Sequence, residues 1–145
     1  MGKVRQMENG DGERHITILI DHNMEGQAIW LWETLAKAGW TALFRMEFIM
    51  FADVGLSPAS NDREVWRFAQ KRRMILLTNN RSDNEKDSLE QTIREENTPT
   101  SLPVLTIGSL NRMKESCYRE KCAERIIEVV LYLNNYAGTS RIFIP

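Results

Sequence analysis

The stretch Met74-Ile75-Leu76-Leu77-Thr78-Asn79-Asn80-Arg81-Ser82-Asp83 joins four apolar residues directly to a polar turn. A run so short and so apolar is typical of a strand that is buried on both faces, as in a parallel sheet. The polar turn then lies at the carboxyl end of the strand, where open α/β sheets bind their ligands. The sequence therefore predicts a ligand-binding crevice beside this turn.

A second segment has the same form. His15-Ile16-Thr17-Ile18-Leu19-Ile20 is an apolar strand that ends in Asp21-His22-Asn23. If the two strands are neighbours in a parallel sheet, their carboxyl ends meet at one edge, and Asp21 converges with the turn that contains Asn80.

The remaining chain alternates strand patterns with helix patterns, which favours βαβ units and a parallel sheet covered on both faces. We predict an α/β protein with three α/β/α layers and a mostly parallel sheet. Residues 1–14 are predicted to be a flexible leader and residues 15–145 a single domain, with a loop at 53–61. The predicted strands are 16–20, 41–44, 74–77, 104–107 and 141–144, and the predicted helices are 24–38, 62–72, 88–96 and 118–134.

Composition excludes several classes of protein. The 145 residues are 42% hydrophobic and 27% charged, which is ordinary for one globular domain. No apolar run is long enough to cross a bilayer and the first residues are polar, so we expect a cytoplasmic protein. The net charge of −1 gives no global footprint for nucleic acid. Cys117 and Cys122 lack the partners of a zinc site and are predicted to be free thiols. Trp30 lies off the apolar face of the first predicted helix and is expected to pack against a neighbouring element; for these tryptophans, core packing is favoured over base stacking.

Oxygen ligands dominate the predicted crevice. The turn after the first strand lacks the glycine patterns that bind nucleotides, which argues against a nucleotide cofactor. Carboxylate and amide oxygens suit Mg²⁺ or Mn²⁺, which often take only one or two protein carboxylates. Arg81 suits a phosphate group, because guanidinium binds it bidentately. The candidate metal ligands are Asp21, Asp62, Asn80 and Asp83.

Each candidate also has a structural interpretation. Asp21 suits the cap of the following helix, and Asp62 complements a helix dipole. Asn80 and its neighbours Asn79 and Asp83 suit the shaping of a turn. Asn61, with Glu64 three residues later, resembles a capping box. The shared location of the candidates is a stronger argument than any single residue.

Three segments together resemble the PIN-like proteins, a small bacterial group related to toxin-type PIN ribonucleases. They are Asp21-His22-Asn23, Asp53-Val54-Gly55-Leu56 followed by Ser60-Asn61-Asp62, and Leu77-Thr78-Asn79-Asn80-Arg81. The resemblance covers residues 16–107 in order. It implies a compact α/β/α fold, an acidic site for Mg²⁺ or Mn²⁺, and hydrolysis of RNA phosphodiesters by metal-activated water.

The resemblance also implies roles for individual residues. Asp21 matches the aspartate after the first strand, and Asp62 or Glu64 matches the acid that enters the middle helix. Asn80 stands where the family pattern has a metal-binding aspartate, and Asp83 is near the following acid. The predicted catalytic residues are Asp21, Asp62 and Asp83, and the predicted substrate-binding residues are Asn23, Thr78, Asn79 and Arg81.

Our leading hypothesis is a metal-dependent endoribonuclease, in the role of the toxin of a toxin–antitoxin pair. The expected partners are RNA, an antitoxin protein and a second copy of the chain. One rival is a degenerate PIN-like module that binds RNA or a protein without cutting, because an amide at Asn80 brings no charge to an ion. A phosphoacceptor receiver domain ranks last, because it needs a pair of acids after the first strand and a lysine after a late strand. Here Asp21 is followed by His22, and residues 104–110 contain no lysine.

Overall fold

The computed structural model describes residues 15–81 and 86–145. These residues form a five-stranded sheet in the order β2-β1-β3-β4-β5, and all four strand pairs are parallel. The predicted leader and Asp83 lie outside the described residues. The strands are β1 His15–Ile20, β2 Arg45–Ile49, β3 Ile75–Thr78, β4 Val104–Ile107 and β5 Arg141–Ile144.

Seven α-helices and two short 3-10 helices connect the described strands. The 3-10 helices are His22–Met24 and Leu110–Lys114. None of the helices in the described part of the chain combines the length and the apolar character that a membrane span requires. The α-helices are α1 Glu25–Lys37, α2 Trp40–Leu43, α3 Phe51–Val54, α4 Asp62–Lys71, α5 Leu89–Glu96, α6 Ser116–Leu131 and α7 Leu133–Tyr136.

The sheet has an apolar core on each face, which confirms the predicted three-layer α/β/α architecture. Side chains alternate along a strand, so Ile18 and Ile20 face α1 and α6, whereas Leu19 faces α4 and α5. All four residues of β3 and of β4 are buried, as expected for central strands of a parallel sheet. Full burial of one Leu or Ile side chain contributes about 1.5–3 kcal/mol, so these strands fix the register.

The strand order reverses between β1 and β3. The chain leaves β1 for β2 on one side and then returns to place β3 on the other side, which makes the β1/β3 edge a topological switch point. The register pairs Ile20 with Leu77, and the Asp21 N–H donates to the Leu77 carbonyl oxygen at 2.9 Å. Asp21 and Thr78 therefore leave the sheet side by side.

Several local predictions were wrong. Residues 41–44 do not form a strand; they belong mostly to α2, and β2 begins at Arg45. Gly39 takes a left-handed φ of 88°, and one helical turn follows it, so the strand begins later in the sequence than predicted. The predicted loop at 53–61 begins inside α3, and the last predicted helix is divided into α6 and α7. Trp30 is 45% exposed and is not a core residue.

Other local predictions are confirmed. Asn61 and Glu64 form the capping box at the start of α4, in which each side chain accepts a hydrogen bond from the other residue's N–H at 2.9 Å. Cys117 and Cys122 are both free thiols. Trp66 is buried and packs in the core between the sheet and the α4–α5 layer.

Candidate functional site

Asp21 is held from three directions at the end of β1. Its N–H is bound to the sheet, and its Oδ1 accepts a hydrogen bond from the Asn23 N–H at 3.2 Å. Its Oδ2 accepts a 2.6 Å hydrogen bond from the hydroxyl of Thr78. The bond to Asn23 is a cap of the short 3-10 helix, so the structural interpretation of Asp21 accounts for one of its two oxygens.

Thr78 joins Asp21 to the loop after β3. Its side chain is fully buried, and its Oγ1 also accepts a hydrogen bond from the Asn80 N–H at 3.0 Å. A threonine hydroxyl has one hydrogen to donate, and here that hydrogen goes to the carboxylate. Thr78 therefore fixes the orientation of the Asp21 side chain as well as the path of the backbone at Asn80.

Asp62, in the first turn of α4, also contacts the loop after β3. Its Oδ2 accepts hydrogen bonds from Asn80 Nδ2 at 2.9 Å and from the Leu89 N–H at 3.0 Å. Leu89 is the first residue of α5, so this carboxylate connects the starts of two helices to the loop after β3. Glu64 instead faces its capping-box partner. Of the two acids suggested for this position, only Asp62 is bonded to Asn80.

A continuous hydrogen-bonded chain therefore runs from Asp21 through Thr78 and Asn80 to Asp62. Asp21, Thr78 and Asp62 also line one cavity of about 70 Å³. The two carboxylates thus face a common space at the switch point of the sheet.

The other predicted site residues are placed differently. Asn23 lines the same cavity, whereas the half-buried Asn79 and the exposed Arg81 are not among its lining residues. Asp83 lies outside the described residues. The structure therefore brings together Asp21, Asn23, Asp62, Thr78 and Asn80.

His22 was not singled out from the sequence, although it adjoins Asp21. It lines the cavity, its Nδ1 lies 3.3 Å from Glu25 Oε2, and its ring centroid lies 5.7 Å from that of Phe51. Ser60, two residues before Asp62, also lines the cavity. Both residues lie in segments that carry the resemblance, His22 directly after Asp21 and Ser60 two residues before Asp62.

Arg141 is a third contributor that the sequence did not reveal. It lies on the edge strand β5, is 10% exposed, and donates from Nη1 to the Asn80 carbonyl oxygen and to Thr106 Oγ1, both at 2.8 Å. Its Nη2 donates to Glu90 Oε1 at 2.8 Å. Arg141 thereby supports the backbone of Asn80 from behind without contacting the cavity.

A network of arginines and carboxylates fastens α4 to α5 beside the site. Arg63, the neighbour of Asp62, forms ion pairs with Asp87, Glu95 and Glu96. Hydrogen bonds from Arg67, and then from Arg63, lower the pKa of Glu96 to about 2. The network fixes the spacing between the first turn of α4, which carries Asp62, and α5.

The donor set can be compared with the needs of a divalent ion. The described residues contain no cluster of three or more His, Cys, Asp or Glu side chains that could share an ion. Two carboxylates and an amide fit Mg²⁺ or Mn²⁺, because water and substrate phosphate commonly complete the shell. The Asn80 amide presents its nitrogen to Asp62 here, so an ion shared by these two residues requires the amide to turn its oxygen inward.

Comparisons with known proteins do not place the chain in a family. No family model, no curated protein and no solved structure matches it. The fold defines a doubly wound α/β protein, and the resemblance to the PIN-like proteins stays a prediction.

Proposed function

We propose that this protein is a PIN-like, metal-dependent endoribonuclease. The observation that supports the proposal is the hydrogen-bonded chain that joins Asp21 to Asp62 around one cavity at the β1/β3 switch point. Such a crevice is where doubly wound sheets bind ligands. The carboxylates come from different elements, so their convergence is a property of the whole fold.

The residues have separate roles in this proposal. Asp21 and Asp62 would hold Mg²⁺ or Mn²⁺, with the oxygen of Asn80 as a further ligand and Asp83 as the third acid from its position in the sequence. A bound ion lowers the pKa of its water and stabilises the charge that develops on phosphorus during attack. Thr78 and Asn23 fix the two oxygens of Asp21. Arg81 is exposed and would hold the phosphate of the RNA, with Asn79 beside it.

The biological setting follows from the resemblance alone. We propose that the enzyme acts in the cytoplasm as the toxin of a toxin–antitoxin pair. Its partners would then be cellular RNA, an antitoxin protein and a second copy of the chain.

The test is cleavage of a mixed-sequence single-stranded RNA with Mn²⁺, with Mg²⁺ and with a chelator. Asp21→Asn is compared with wild type, and Asp53→Asn serves as the matched control. Asp53 caps the short α3 through a 2.9 Å bond from the Met50 N–H, and it does not line the cavity. Loss of one electrostatic contact to the reacting group lowers rates by about 10²–10³-fold. We expect that loss for Asp21→Asn and nearly unchanged cleavage for Asp53→Asn.

Two results would contradict the proposal. One is the absence of products with either metal from folded wild-type protein. The other is equal cleavage by Asp21→Asn and wild type, because it would trace the products to a contaminating nuclease or to a different site.

A binding module that does not cut is the second candidate. It is favoured by Asp62, whose Oδ2 already accepts two hydrogen bonds from within the protein, and by the uncharged Asn80. Saturable RNA binding in the presence of chelator, without products when Mn²⁺ is added, would support this candidate over the nuclease.

A further inference from the structure

A cavity of about 440 Å³ lies between α1 and α6. These helices cover the face of the sheet opposite to the α4–α5 layer that supplies Asp62. The volume is within the usual range for sites that bind small molecules. We call this cavity the α1–α6 groove and define it by Lys37, Trp40, Arg119, Glu120 and Glu124.

Arg119 is the fixed cation of the α1–α6 groove. Its Nε donates to Thr34 Oγ1 at 3.2 Å, and its Nη1 donates to the Met113 carbonyl oxygen at 2.9 Å. Both acceptors are uncharged, and Arg119 forms no ion pair with any carboxylate in residues 15–81 and 86–145. Arg125, on the same helix, is paired with Glu128. The guanidinium of Arg119 is therefore oriented by the fold without an ion pair to any described carboxylate.

Two lysines add to this charge. Lys37 lines the α1–α6 groove together with Arg119, and both also line an adjoining cavity of about 190 Å³ that contains Lys114. A fixed guanidinium flanked by flexible ammonium groups suits phosphate, because Arg binds its oxygens bidentately and Lys adds point charges. The cationic end of the groove thus favours a phosphate monoester.

The rest of the groove limits what that phosphate is attached to. Trp40, Ala38 and Ala123 give an apolar wall with an aromatic ring, which suits a planar group. Glu120 and Glu124 line the same space, and their carboxylates repel a second phosphate but accept hydrogen bonds from the amino groups of a base. Glu33 in the adjoining cavity has the same effect. A polyphosphate or a continuous RNA backbone fits this distribution of charge poorly.

We propose that the α1–α6 groove binds a nucleoside monophosphate, with its phosphate on Arg119 and Lys37 and its base along Trp40 towards the carboxylates. This site is separate from the candidate nuclease site and does not depend on it.

The experiment is a calorimetric titration of the full chain with each of the four ribonucleoside monophosphates. Inorganic phosphate and the corresponding nucleosides are titrated in parallel, to separate the two halves of the ligand. The groove variants are Arg119→Gln and Lys37→Ala. Arg125→Ala removes one positive charge from the same helix outside the groove, and Asp21→Asn tests binding at the other site.

We expect saturable binding of at least one nucleotide. It should weaken by about 10- to 100-fold in Arg119→Gln, because a hydrogen bond to a charged group is lost. Lys37→Ala should weaken it several-fold, whereas Arg125→Ala and Asp21→Asn should bind like wild type. Lys37 is exposed, so Lys37→Ala is expected to fold and provides the test if Arg119→Gln does not fold.

Three results would overturn the proposal. The first is the absence of binding tighter than about 1 mM for all four nucleotides. The second is equal affinity for inorganic phosphate alone, which would show that the aromatic wall contributes nothing. The third is binding that is lost in Asp21→Asn but retained in Lys37→Ala and in folded Arg119→Gln.

Discussion

Replacing Thr78 by valine tests the hydrogen-bonded chain on which the candidate site depends. Thr78 is 0% exposed, and its Oγ1 donates to Asp21 Oδ2 at 2.6 Å and accepts from the Asn80 N–H at 3.0 Å. Valine has nearly the same shape, so no cavity is created. A hydrogen bond to a charged group contributes about 1.5–3 kcal/mol, and an unsatisfied buried donor costs about 1–3 kcal/mol. Since Asp21 and Asn80 are only half-buried, we expect the sum of the two effects to lie near its lower end. Thr78→Val should therefore lower the free energy of unfolding by about 3 kcal/mol.

Thr92→Val is the matched control. Thr92 is also 0% exposed, but its Oγ1 donates at 2.8 Å to the Ser88 carbonyl oxygen, which already accepts the Thr92 N–H at 2.9 Å. Removal of the Thr92 hydroxyl leaves the Ser88 carbonyl oxygen with its hydrogen bond from the Thr92 N–H. Thr92→Val should therefore lower the free energy of unfolding by about 1 kcal/mol or less.

Both variants are measured by urea unfolding followed by far-ultraviolet circular dichroism, with the slope m checked for constancy. Equal losses in Thr78→Val and Thr92→Val would refute the reasoning, because the chain from Asp21 to Asn80 would then add no stability. A double-mutant cycle of Thr78→Val with Asp21→Ala isolates the interaction between these two side chains. The double variant should lose about 1–2 kcal/mol less stability than the sum of the losses in the two single variants.

Three further predictions concern other parts of the molecule. Because hydrogen bonds from Arg67 and Arg63 hold the pKa of Glu96 at about 2 against an ordinary 4.5, the contribution of Glu96 to stability is complete above pH 4.5 and is lost as the pH falls towards 2. The difference in urea midpoint between wild type and Glu96→Gln should therefore shrink over that interval, and a constant difference would contradict it. Gly55 has a φ of 76° with open space around it, so Gly55→Ala should destabilise by about 1–2 kcal/mol, whereas Gly26→Ala within α1 should stabilise by about 0.5–1 kcal/mol in the same assay. Cys117 is exposed, whereas burial raises the pKa of Cys122 to about 11, so a thiol reagent should label one cysteine in the native protein and two in denaturant.

The central strands were predictable because their signal is strong and local. β1, β3 and β4 are short apolar runs with a polar side chain at the carboxyl end or within two residues after it, and such runs have few alternatives to a parallel sheet. The capping box of α4 was equally readable, since it depends on two residues three positions apart.

The wrong prediction at 41–44 has a physical reason. Trp40, Thr41 and Phe44 have high strand propensity, but that preference reflects packing on a half-buried sheet more than an intrinsic backbone tendency. Here the ring centroids of Trp40 and Phe44 lie 6.1 Å apart across the single turn of α2. A helical turn that starts at the left-handed Gly39 and brings these two rings together therefore replaces the predicted strand.

The site was only partly predictable. The topology of parallel sheets predicted that Asp21 lies beside the polar turn after β3. The hydrogen bonds from Thr78 to Asp21 and from Asn80 to Thr78 show this contact in the structure. The choice of Asp62 over Glu64 required side-chain directions that spacing does not provide. Arg141 could not be found, because its link to Asn80 joins residues 61 positions apart in the sequence.

The link between Arg141 and Asn80 also sets an order of events during synthesis. β5 is the last strand in the sequence, so the Asn80 carbonyl gains its guanidinium partner only after the sheet's other four strands have left the ribosome. Until then, the loop after β3 lacks its support from behind, although Asp21, Asp62 and Thr78 are already present. Ribosome-bound chains that end before residue 141 therefore carry Asp21 and Asp62 without the hydrogen bond from Arg141 to the Asn80 carbonyl oxygen.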